Sequence, residues 1–454
     1  MRIFMRIPVV SFILLFAAST AYAQIWQAQE RVDNGAIPIN ASLNVLTVNN
    51  VVHVVYRGLE LAAAPGSQDG IFYVKKQNNN WTAPLRVASV TGGEVGGLNI
   101  EILQGELFII YDVGNGAAGQ VFYTRDLKSG GAMWAPAALL HPNISSPSRN
   151  HFRIRTAANG SKILAVWEAD DPLGQFGADA DIWFSEFSGS AWSAPALVNT
   201  NAAFDTGNDM GADPTFGPDG VAYCVWSSTE DIYEAGTDPD IFIATRDGLG
   251  PWTGPELISP GSALVDRAPR VAVTEFSNEI FVLWEGGDDI YYAKYAAGVP
   301  GKTVTEGPAT IASYMDTDVA NDHDLGVFAT GDDIYAVWVS RHNLPTFQGF
   351  TGDDADVFWA GYTQGSWRFP RFASSRVYVN EAINDGSIPN VRVNLFGTGI
   401  EGHVVWQTAS ALYYQKIVLL ADNDADGVPD ILEFSGFGGT GTDPAKTDTD
   451  GDGV

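Results

Sequence analysis

Short apolar segments that end in an aromatic residue recur along almost the whole chain. They occupy residues 51–56, 107–111, 163–167, 222–226, 280–284, 334–338 and 403–406. Their aromatic ends stand at positions 56, 111, 167, 226, 284, 338 and 406, so neighbouring segments lie 54 to 68 residues apart. Repetition at this spacing indicates a repeat architecture in which each unit packs against the next. The pattern therefore predicts seven units.

Each unit contains three further predicted strands. A second apolar strand follows the first, as at 181–184, and leads through a turn to a strand that opens with Trp and usually Pro, as at 192–195. Another strand, often entered through Pro, precedes the aromatic-ended one, as at 268–271. Four short strands per unit, repeated seven times, are typical of a β-propeller. The aromatic-ended strands are almost continuously apolar, which favours sheets covered on both faces, and no helical period is evident.

The two ends of the repeat array complement each other. The seventh unit stops near residue 418, after its third strand, without a strand that opens with Trp. Residues 25–32, near the other end of the chain, align with the Trp-containing stretch 81–87. An N-terminal strand that completes the last blade would remove the exposed sheet edges of an open ring. We therefore predict an all-β protein, a seven-bladed β-propeller closed by its N-terminal strand.

The first 23 residues have the pattern of a secretory signal peptide. Arg2 and Arg6 supply positive charge, residues 7–18 are apolar, and Ala21 and Ala23 form a small-x-small cleavage site. The apolar run is shorter than the ~20 residues that a membrane-spanning helix needs. We expect a mature chain that starts at Gln24 and is secreted or held at the cell surface after Sec-type export.

The charge of the chain limits its partners. Asp and Glu number 54 against 25 Lys and Arg, a formal net charge of −29. A protein with this much negative charge repels nucleic acid and anionic membrane surfaces. We therefore expect neither nucleic-acid binding nor membrane insertion. We also expect a monomer. Divalent cations become plausible ligands instead. The single cysteine, Cys224, excludes an internal disulfide and is interpreted as a small buried apolar residue.

The composition changes abruptly at residue 422, where a calcium-binding pattern begins. Residues 422–433 fit the twelve-position calcium loop, with acids at positions 1, 3, 5, 9 and 12 and glycine at position 6. The predicted ligands are the side chains of Asp422, Asp424, Asp426, Asp430 and Glu433 and the carbonyl of Val428. A second loop starts 26 residues later with Asp448, Asp450 and Asp452. Ca²⁺ is the expected cofactor.

The paired loops resemble bacterial thrombospondin type 3 repeats, which bind calcium along an extended stalk. The resemblance covers about thirty residues and includes Gly441 and Asp443 between the loops. The second loop is incomplete at residue 454. Three segments are therefore expected, namely a signal peptide at 1–23, the propeller at 24–421 and a truncated calcium-binding stalk at 422–454.

The hairpin at 244–252 resembles a degraded Asp-box, the Ser-x-Asp-x-Gly-x-x-Trp hairpin of sialidase-like propellers. Asp247 and Trp252 carry the resemblance, which extends as architecture over residues 24–418. No hairpin carries the full motif, and the Arg-Ile-Pro signature of sialidases is absent. The resemblance implies a glycoside-processing site in which three arginines hold a carboxylate beside a Tyr–Glu pair and an acidic proton donor.

Four arginines fall on predicted inner strands, where such a clamp would stand. They are Arg153 and Arg155 in the third unit, Arg270 in the fifth and Arg392 in the seventh. A planar guanidinium binds a carboxylate through two parallel hydrogen bonds, so convergence of these residues would favour catalysis. The alternative is that they line a solvated channel and pair with nearby acids.

Acidic residues are concentrated in the loops that precede the first and third strands of units three to six. They include Glu168, Asp170, Asp171, Asp179, Asp181, Glu230, Asp231, Asp238, Asp240, Glu285, Asp288, Asp289, Asp353, Asp354 and Asp356, with Asp205, Asp209, Asp213, Asp316, Asp318, Asp322 and Asp324. These oxygen ligands could form a calcium-dependent recognition face. Ordinary turn chemistry, in which Asp binds its own backbone, explains the same enrichment.

Three functions remain open at this level. The leading hypothesis is a calcium-binding extracellular protein whose propeller binds a glycan or cell-surface polymer. A sialidase-like or other glycoside-processing hydrolase is the alternative, since glycosidases work through two carboxylates that the sequence alone does not single out. A structural surface spacer without a ligand is the third.

Overall fold

The computed structural model describes most of residues 22–421, and the remainder of both chain ends lies outside the described residues. The described residues are 22–26, 30–33, 36–60, 69–91, 93–114, 119–127, 130–141, 145–146, 153–170, 179–204, 206–232, 238–259, 264–296, 304–311, 322–340, 345–346, 349–350, 356–363, 365–367, 371–372, 390–396, 399–407 and 411–421. The chain divides into two compact parts, Ile25–Leu419 and the paired ends Met1–Gln24 and Leu420–Val454. Of the second part, residues 22–24 and 420–421 are described. The predicted signal peptide before residue 22 and the calcium loops lie outside the described residues.

The described part of the chain contains strands and no helix. Up to the fourth blade the strands are β1 Tyr22–Trp26, β2 Glu30–Arg31, β3 Ala36–Val48, β4 Val51–Glu60, β5 Asp69–Gln77, β6 Asn80–Trp81, β7 Leu85–Ser89, β8 Leu98–Leu103, β9 Glu106–Gly114, β10 Gly119–Arg125, β11 Ala138–Leu139, β12 Ser145–Ser146, β13 Arg155–Ala158, β14 Ile163–Asp170, β15 Ala180–Phe187, β16 Ala196–Leu197, β17 Asp209–Phe216, β18 Ala222–Ser228, β19 Asp240–Arg246 and β20 Glu256–Leu257. The remaining strands are β21 Asp266–Val273, β22 Glu279–Gly286, β23 Asp289–Ala296, β24 Val304–Thr310, β25 His323–Thr330, β26 Asp333–Ser340, β27 Pro345–Thr346, β28 Gly349–Phe350, β29 Asp356–Thr363, β30 Ser366–Trp367, β31 Arg371–Phe372, β32 Asn390–Phe396, β33 Gly399–Gln407 and β34 Leu412–Ala421. No described segment therefore provides a helix that is long and apolar enough to cross a membrane.

The strands form the seven antiparallel blades that the repeat predicts. Each sheet runs outward from an inner strand through the aromatic-ended strand to the third and outer strands. The inner strands are β3, β8, β13, β17, β21, β25 and β32, in blades 1 to 7. A separate hairpin, β27 with β28, stands between the second and third strands of blade 6. The fold is an all-β, seven-bladed propeller, as predicted.

The N-terminal strand closes the ring. Glu30 and Arg31 in β2 pair with Tyr414 and Tyr413 in β34, so an N-terminal segment supplies the outer edge of blade 7. The Val32 N–H extends this pairing by donating to the Leu412 carbonyl, 2.9 Å away. Pairing between the two ends of the array confirms the closure that was predicted from the incomplete last repeat.

Both faces of each blade are buried against its neighbours. Side chains alternate along a strand, so consecutive residues point to opposite faces. In β18, Cys224 and Trp226 pack with blade 3, whereas Tyr223 and Val225 pack with blade 5. The five tryptophans at the aromatic ends, Trp167, Trp226, Trp284, Trp338 and Trp406, are almost completely buried. This two-sided burial explains why the second strand of each blade is almost continuously apolar up to its aromatic end, and Cys224 belongs to the core as predicted.

The tryptophans that open the outer strands connect neighbouring blades. Each described example packs against an aromatic ring of the preceding blade, at centroid distances from 5.2 to 5.9 Å. The pairs are Trp81 with Tyr414, Trp134 with Tyr73, Trp192 with Tyr123, Trp252 with Phe184 and Trp367 with Tyr292. Such edge-to-face pairs contribute about 0.5–1.5 kcal/mol beyond area burial. The regular Trp spacing therefore reflects packing between blades.

Candidate functional site

A cavity of about 660 Å³ occupies the channel at the centre of the ring. Inner strands of blades 1 to 6 line it, and the lining includes Asn44, Glu101, Arg155 and Arg270 together with the aromatic ring of Phe328. Its volume lies within the range of about 300–1,000 Å³ found for ligand sites in proteins. The channel is therefore the candidate functional site.

One register position is equivalent on all seven inner strands. It is the residue paired with the position just before the aromatic end, and it is Asn44, Asn99, Arg155, Asp213, Arg270, Gly326 and Asn390 in blades 1 to 7. We call these seven residues the channel ring. Six of the seven are polar, which points to a shared role.

Four polar side chains of the channel ring bind the backbone of the following inner strand. The Asn44 and Asn99 amides donate to the carbonyls of Leu98 (3.3 Å) and Ile154 (2.8 Å). The Asp213 carboxylate accepts the Val271 N–H at 3.1 Å. The Arg270 guanidinium donates to the Leu325 carbonyl at 2.9 Å. Inner strands have an unpaired edge, and buried backbone groups require partners. The ring supplies those partners and fixes neighbouring blades to each other.

Acidic residues that directly follow the aromatic ends of blades 2, 3 and 5 form a second set of links. The Asp112 carboxylate accepts the N–H groups of Gly97 (2.6 Å) and Ile154 (3.1 Å). Glu168 accepts the Gly211 N–H and Glu285 the Asp324 N–H, each at 2.8 Å. These acceptors are mostly buried, so hydrogen bonds to N–H groups stabilise their charge.

Glu168 and Glu285 therefore differ from their predicted place in a rim loop. The structure places them inside strands β14 and β22, where they hold the irregular start of the next inner strand. In blade 4 that start contains a register shift between Met210 and Asp213, and Gly211 adopts a positive φ of 67°. Glycine adopts this backbone conformation at low cost, which suits the shift.

The four candidate arginines occupy different surroundings. Arg155 and Arg270 line the same cavity, and Arg270 also donates to the Pro269 carbonyl at 2.8 Å. The Arg153 side chain is 63% exposed and lies 3.8 Å from the Glu168 carboxylate. Arg392 stands on β32 opposite His403, one alternation beyond the channel ring, and its side chain lies outside the described residues. Arg155 and Arg270 therefore lie at the channel, whereas the Arg153 side chain lies at the surface.

Several predicted rim aspartates are deeply buried. Asp181 and Asp240 stand at the starts of third strands and Asp209 opens the inner strand of blade 4, and all three are at most 1% exposed. Asp266, which was not among the predicted rim residues, opens the inner strand of blade 5 and is equally buried. Burial raises the pKa of Asp240 to about 6, and the charges of Asp238 and Asp266 add to the rise. Within the described ranges, no three His, Cys, Asp or Glu side chains are arranged as a ready-made metal centre. Asp171, Asp205, Asp316, Asp318, Asp353 and Asp354 lie outside those ranges.

Sequence reasoning missed the polar residues that join one inner strand to the next. Asn44, Asn99, Glu101 and Thr156 contact neighbouring blades, and the Thr156 hydroxyl donates to Glu101 at 2.8 Å. A signal for the ring was present, because aligning the seven repeats places Asn, Asn, Arg, Asp, Arg, Gly and Asn at one register position. The arginines considered by themselves do not show that these seven positions are equivalent.

Comparison with known proteins relates the chain to other propellers through structure. No sequence family and no curated protein matches the chain. A solved ulvan lyase, a polysaccharide lyase, shares 10% identity at a TM-score of 0.52 and covers 85% of this chain and 95% of its own. The sialidase of Trypanosoma rangeli shares 9% identity at a TM-score of 0.49, covering 86% of this chain and 60% of its own. An α-L-arabinanase of Penicillium chrysogenum shares 10% identity at a TM-score of 0.41, covering 71% and 94%.

These similarities concern the fold. The chain shares its propeller architecture with the ulvan lyase structure. At about a tenth of identical positions, no residue role transfers from them to this chain.

Proposed function

We propose that the channel binds an extracellular glycan or cell-surface polymer. The observation that carries the proposal is the wall of the cavity, which contains amide, carboxylate, hydroxyl and guanidinium groups together with the aromatic side chain of Phe328. Sites for lipophilic ligands are predominantly apolar, whereas this wall offers many donors and acceptors to a hydroxyl-rich ligand. Fold-level similarity to glycan-processing propellers is compatible with the proposal.

Binding without catalysis fits the contacts of the described wall residues better than a carboxylate clamp does. Arg270 donates to the backbone carbonyls of Leu325 and Pro269, and Asp213 accepts a backbone N–H. A ligand that took these groups would leave buried backbone atoms unsatisfied, at a cost of about 1–3 kcal/mol each. Arg155 also lines the cavity and is the ring residue that we expect to contact a ligand.

A glycoside-processing enzyme remains the second candidate because Arg155 and Arg270 line one cavity. The two candidates are separated by incubating the purified protein with sialylated, uronate-containing and neutral glycans. Enzymes release sugars or unsaturated products, whereas a binding protein retains the glycan unchanged. Product formation that disappears in Arg155→Ala would support catalysis and contradict our first proposal.

Blocking the channel tests the location of binding. Ala157 lines the cavity on β13, so Ala157→Trp should fill part of it and abolish glycan retention on the immobilised protein. The matched control is Leu139→Trp, which places the same side chain on the exposed outer edge of blade 2. Equal retention by both variants would place the binding site elsewhere.

We further propose that the protein acts outside the cytoplasm and that its C-terminal loops bind calcium. The support is the signal-peptide pattern at 1–23 and the acids at alternate positions from Asp422 to Asp426, followed by Gly427 and Glu433. Replacing Asp422 and Asp424 by Asn should remove one calcium ion from the purified chain in equilibrium dialysis. Unchanged calcium binding would contradict the assignment of this loop.

A further inference from the structure

The charged side chains among the described residues that line the channel are mostly acidic. They are the acids Glu101, Asp213, Glu275 and Asp324 and the bases Arg155 and Arg270. No lysine or histidine belongs to this described wall. Asp324 lies 3.0 Å from Nδ1 of His323, which offsets part of its charge. Even when Asp324 is set aside, three carboxylates stand against two guanidinium groups, so the described wall has a net negative charge.

The acids of the wall are held by contacts between blades. The Glu101 carboxylate, on β8, accepts the Thr156 hydroxyl of β13 at 2.8 Å. Glu275 directly follows Thr274 at the other end of the channel, where the inner strands finish, and its N–H donates to the Gly331 carbonyl of blade 6 at 2.7 Å. Both residues therefore occupy fixed positions along the channel.

The guanidinium of Arg270 is already engaged by the fold. Its Nε donates to the Leu325 carbonyl at 2.9 Å and its Nη1 to the Pro269 carbonyl at 2.8 Å, so two of its three nitrogens donate to backbone oxygens. A guanidinium that holds a carboxylate through two parallel bonds uses two adjacent nitrogens. An acidic sugar would therefore compete with the fold for Arg270, and Arg155 is the other basic side chain of the described wall.

The charge around the entrance of the channel has the same sign. The connections between second and third strands stand at the end where the inner strands begin, because Asp209 at the start of β17 pairs with Ser228 at the end of β18. In blades 3 and 4, the residues around these connections, 168–181 and 229–240, include five acids each and no Lys, Arg or His. Clefts lined by one sign of charge attract counter-ions and repel ions of their own sign. An acidic glycan is therefore repelled at the entrance as well as at the wall.

We propose that the glycan bound in the channel carries no acidic group, and that free amino groups on its sugars strengthen its binding. The inference rests on the proposed function, because it concerns the ligand of the same site. Sugar hydroxyls both donate and accept, so an uncharged glycan satisfies carboxylate and guanidinium groups alike. Like charges brought together across an interface suppress binding of the wrong partner, whereas opposite charges favour it. Sialylated, sulfated and uronate-containing glycans therefore belong to the excluded class.

The test compares glycans that differ in one group per sugar. Hexamers of glucose, glucosamine and glucuronate with the same linkage form one series, and hexamers of galactose, galactosamine and galacturonate form a second. They are applied to the immobilised full chain at low salt and at a mildly acidic pH, at which the amines are protonated and the uronates ionised. We expect the amino hexamer to be retained best, and the uronate hexamer to bind at least about tenfold more weakly than the uncharged one. Added salt should narrow these differences, because it screens charge.

Matched variants locate the selectivity in the channel. Glu101→Gln and Glu275→Gln each remove one charge from the wall at almost constant side-chain size. Asp247→Asn removes one charge from an exposed hairpin of blade 4 that does not line the cavity. Both wall variants should reduce the preference for the amino over the uronate hexamer, whereas Asp247→Asn should preserve it. Glu275→Gln keeps the test valid if Glu101→Gln does not fold, because Glu275 is exposed and its contact with Gly331 uses the backbone.

Each contrary result has a distinct meaning. Retention of a uronate hexamer at least as strong as that of its uncharged counterpart would overturn the inference and leave the proposed function standing. Equal retention of amino and uncharged hexamers would refute the contribution of amino groups. A preference that is unchanged in the folded wall variants would show that the selectivity does not come from the channel. Retention of none of the hexamers would contradict the proposed function, and the inference with it.

Discussion

The interaction that closes the ring offers the sharpest test of the fold. Glu30, on the N-terminal strand of blade 7, accepts a hydrogen bond from Trp81 at 2.7 Å and pairs with the Lys76 ammonium at 2.5 Å. Lys76 and Trp81 belong to blade 1, so this side chain ties the first and last blades together. The Lys76 ammonium also lies 4.7 Å from the centre of the Tyr414 ring, which belongs to blade 7.

The expected energy follows from the burial of the two charges. The Lys76 side chain is 9% exposed and that of Glu30 is 35% exposed. Breaking a buried pair costs about 3–5 kcal/mol, because the remaining charge is left uncompensated. Exposed pairs contribute about 0.2–1 kcal/mol. A half-buried pair should fall between these limits, so Glu30→Ala should lower the free energy of unfolding by about 2–3 kcal/mol.

A double-mutant cycle isolates the pair. Glu30→Gln and Lys76→Met are made singly and together, and unfolding in urea is followed by tryptophan fluorescence. We expect a coupling energy of about 1.5–2 kcal/mol. The comparison pair is Arg125 with Glu106, whose atoms are 3.4 Å apart and whose arginine is 42% exposed, so its cycle should give at most about 0.5 kcal/mol. Coupling below about 0.5 kcal/mol for Glu30 and Lys76 would refute the claim that this contact secures the closed ring.

Three further predictions concern stability. Burial lowers the pKa of His53 to about 4, whereas a histidine in the unfolded chain has a pKa near 6.5. Because the folded state therefore binds fewer protons between these two values, the free energy of unfolding should fall as the pH drops from 6.5 to 4. His53→Phe should flatten this dependence in urea unfolding at several pH values, and an unchanged slope would contradict the assignment. Gly131→Ala should be much more destabilising than Gly160→Ala in thermal unfolding, because both glycines have positive φ but a Cβ at residue 131 would overlap the Tyr73 ring. Equal losses of stability in the two variants would show that the Tyr73 ring moves aside without cost. Asp112→Ala should cost about 3 kcal/mol or more, since it leaves the N–H groups of Gly97 and Ile154 without their acceptor, and a loss below about 1 kcal/mol in urea unfolding would refute this.

The sequence predicts the blades well because their signals are local. An apolar strand with an aromatic end requires burial on both faces, and the matching ends of the array require closure. Both follow from the order of residues along one repeat. Even the Trp spacing could be recognised, although its cause, contact with an aromatic ring of the preceding blade, became evident from pairs such as Trp252 with Phe184.

The channel was harder to predict because its chemistry depends on contacts between repeats. Arg270 and Asn99 are different residue types in different local sequences, yet each donates to a carbonyl of the following inner strand. Glu168 follows an aromatic end directly and was assigned to a loop by its charge, while its carboxylate binds the Gly211 N–H of the next blade. Such residues are recognised when the repeats are aligned to one another and each position is considered together with its neighbour in the ring.

This equivalence also restricts where ligand specificity can reside. Asn, Asp and Arg occupy the same ring position because each needs only to reach one backbone group of the next blade. Residues with that task are exchangeable among polar types and cannot by themselves distinguish one glycan from another. If the channel binds a glycan as proposed, its specificity should therefore depend on lining residues that do not form these links, such as Phe328, and on Arg155. Replacing Asn99 by Asp or Arg270 by Lys should then alter stability more than the choice of glycan, whereas Phe328→Ala should alter the choice of glycan. A change of glycan preference in Arg270→Lys at unchanged stability would reverse that assignment.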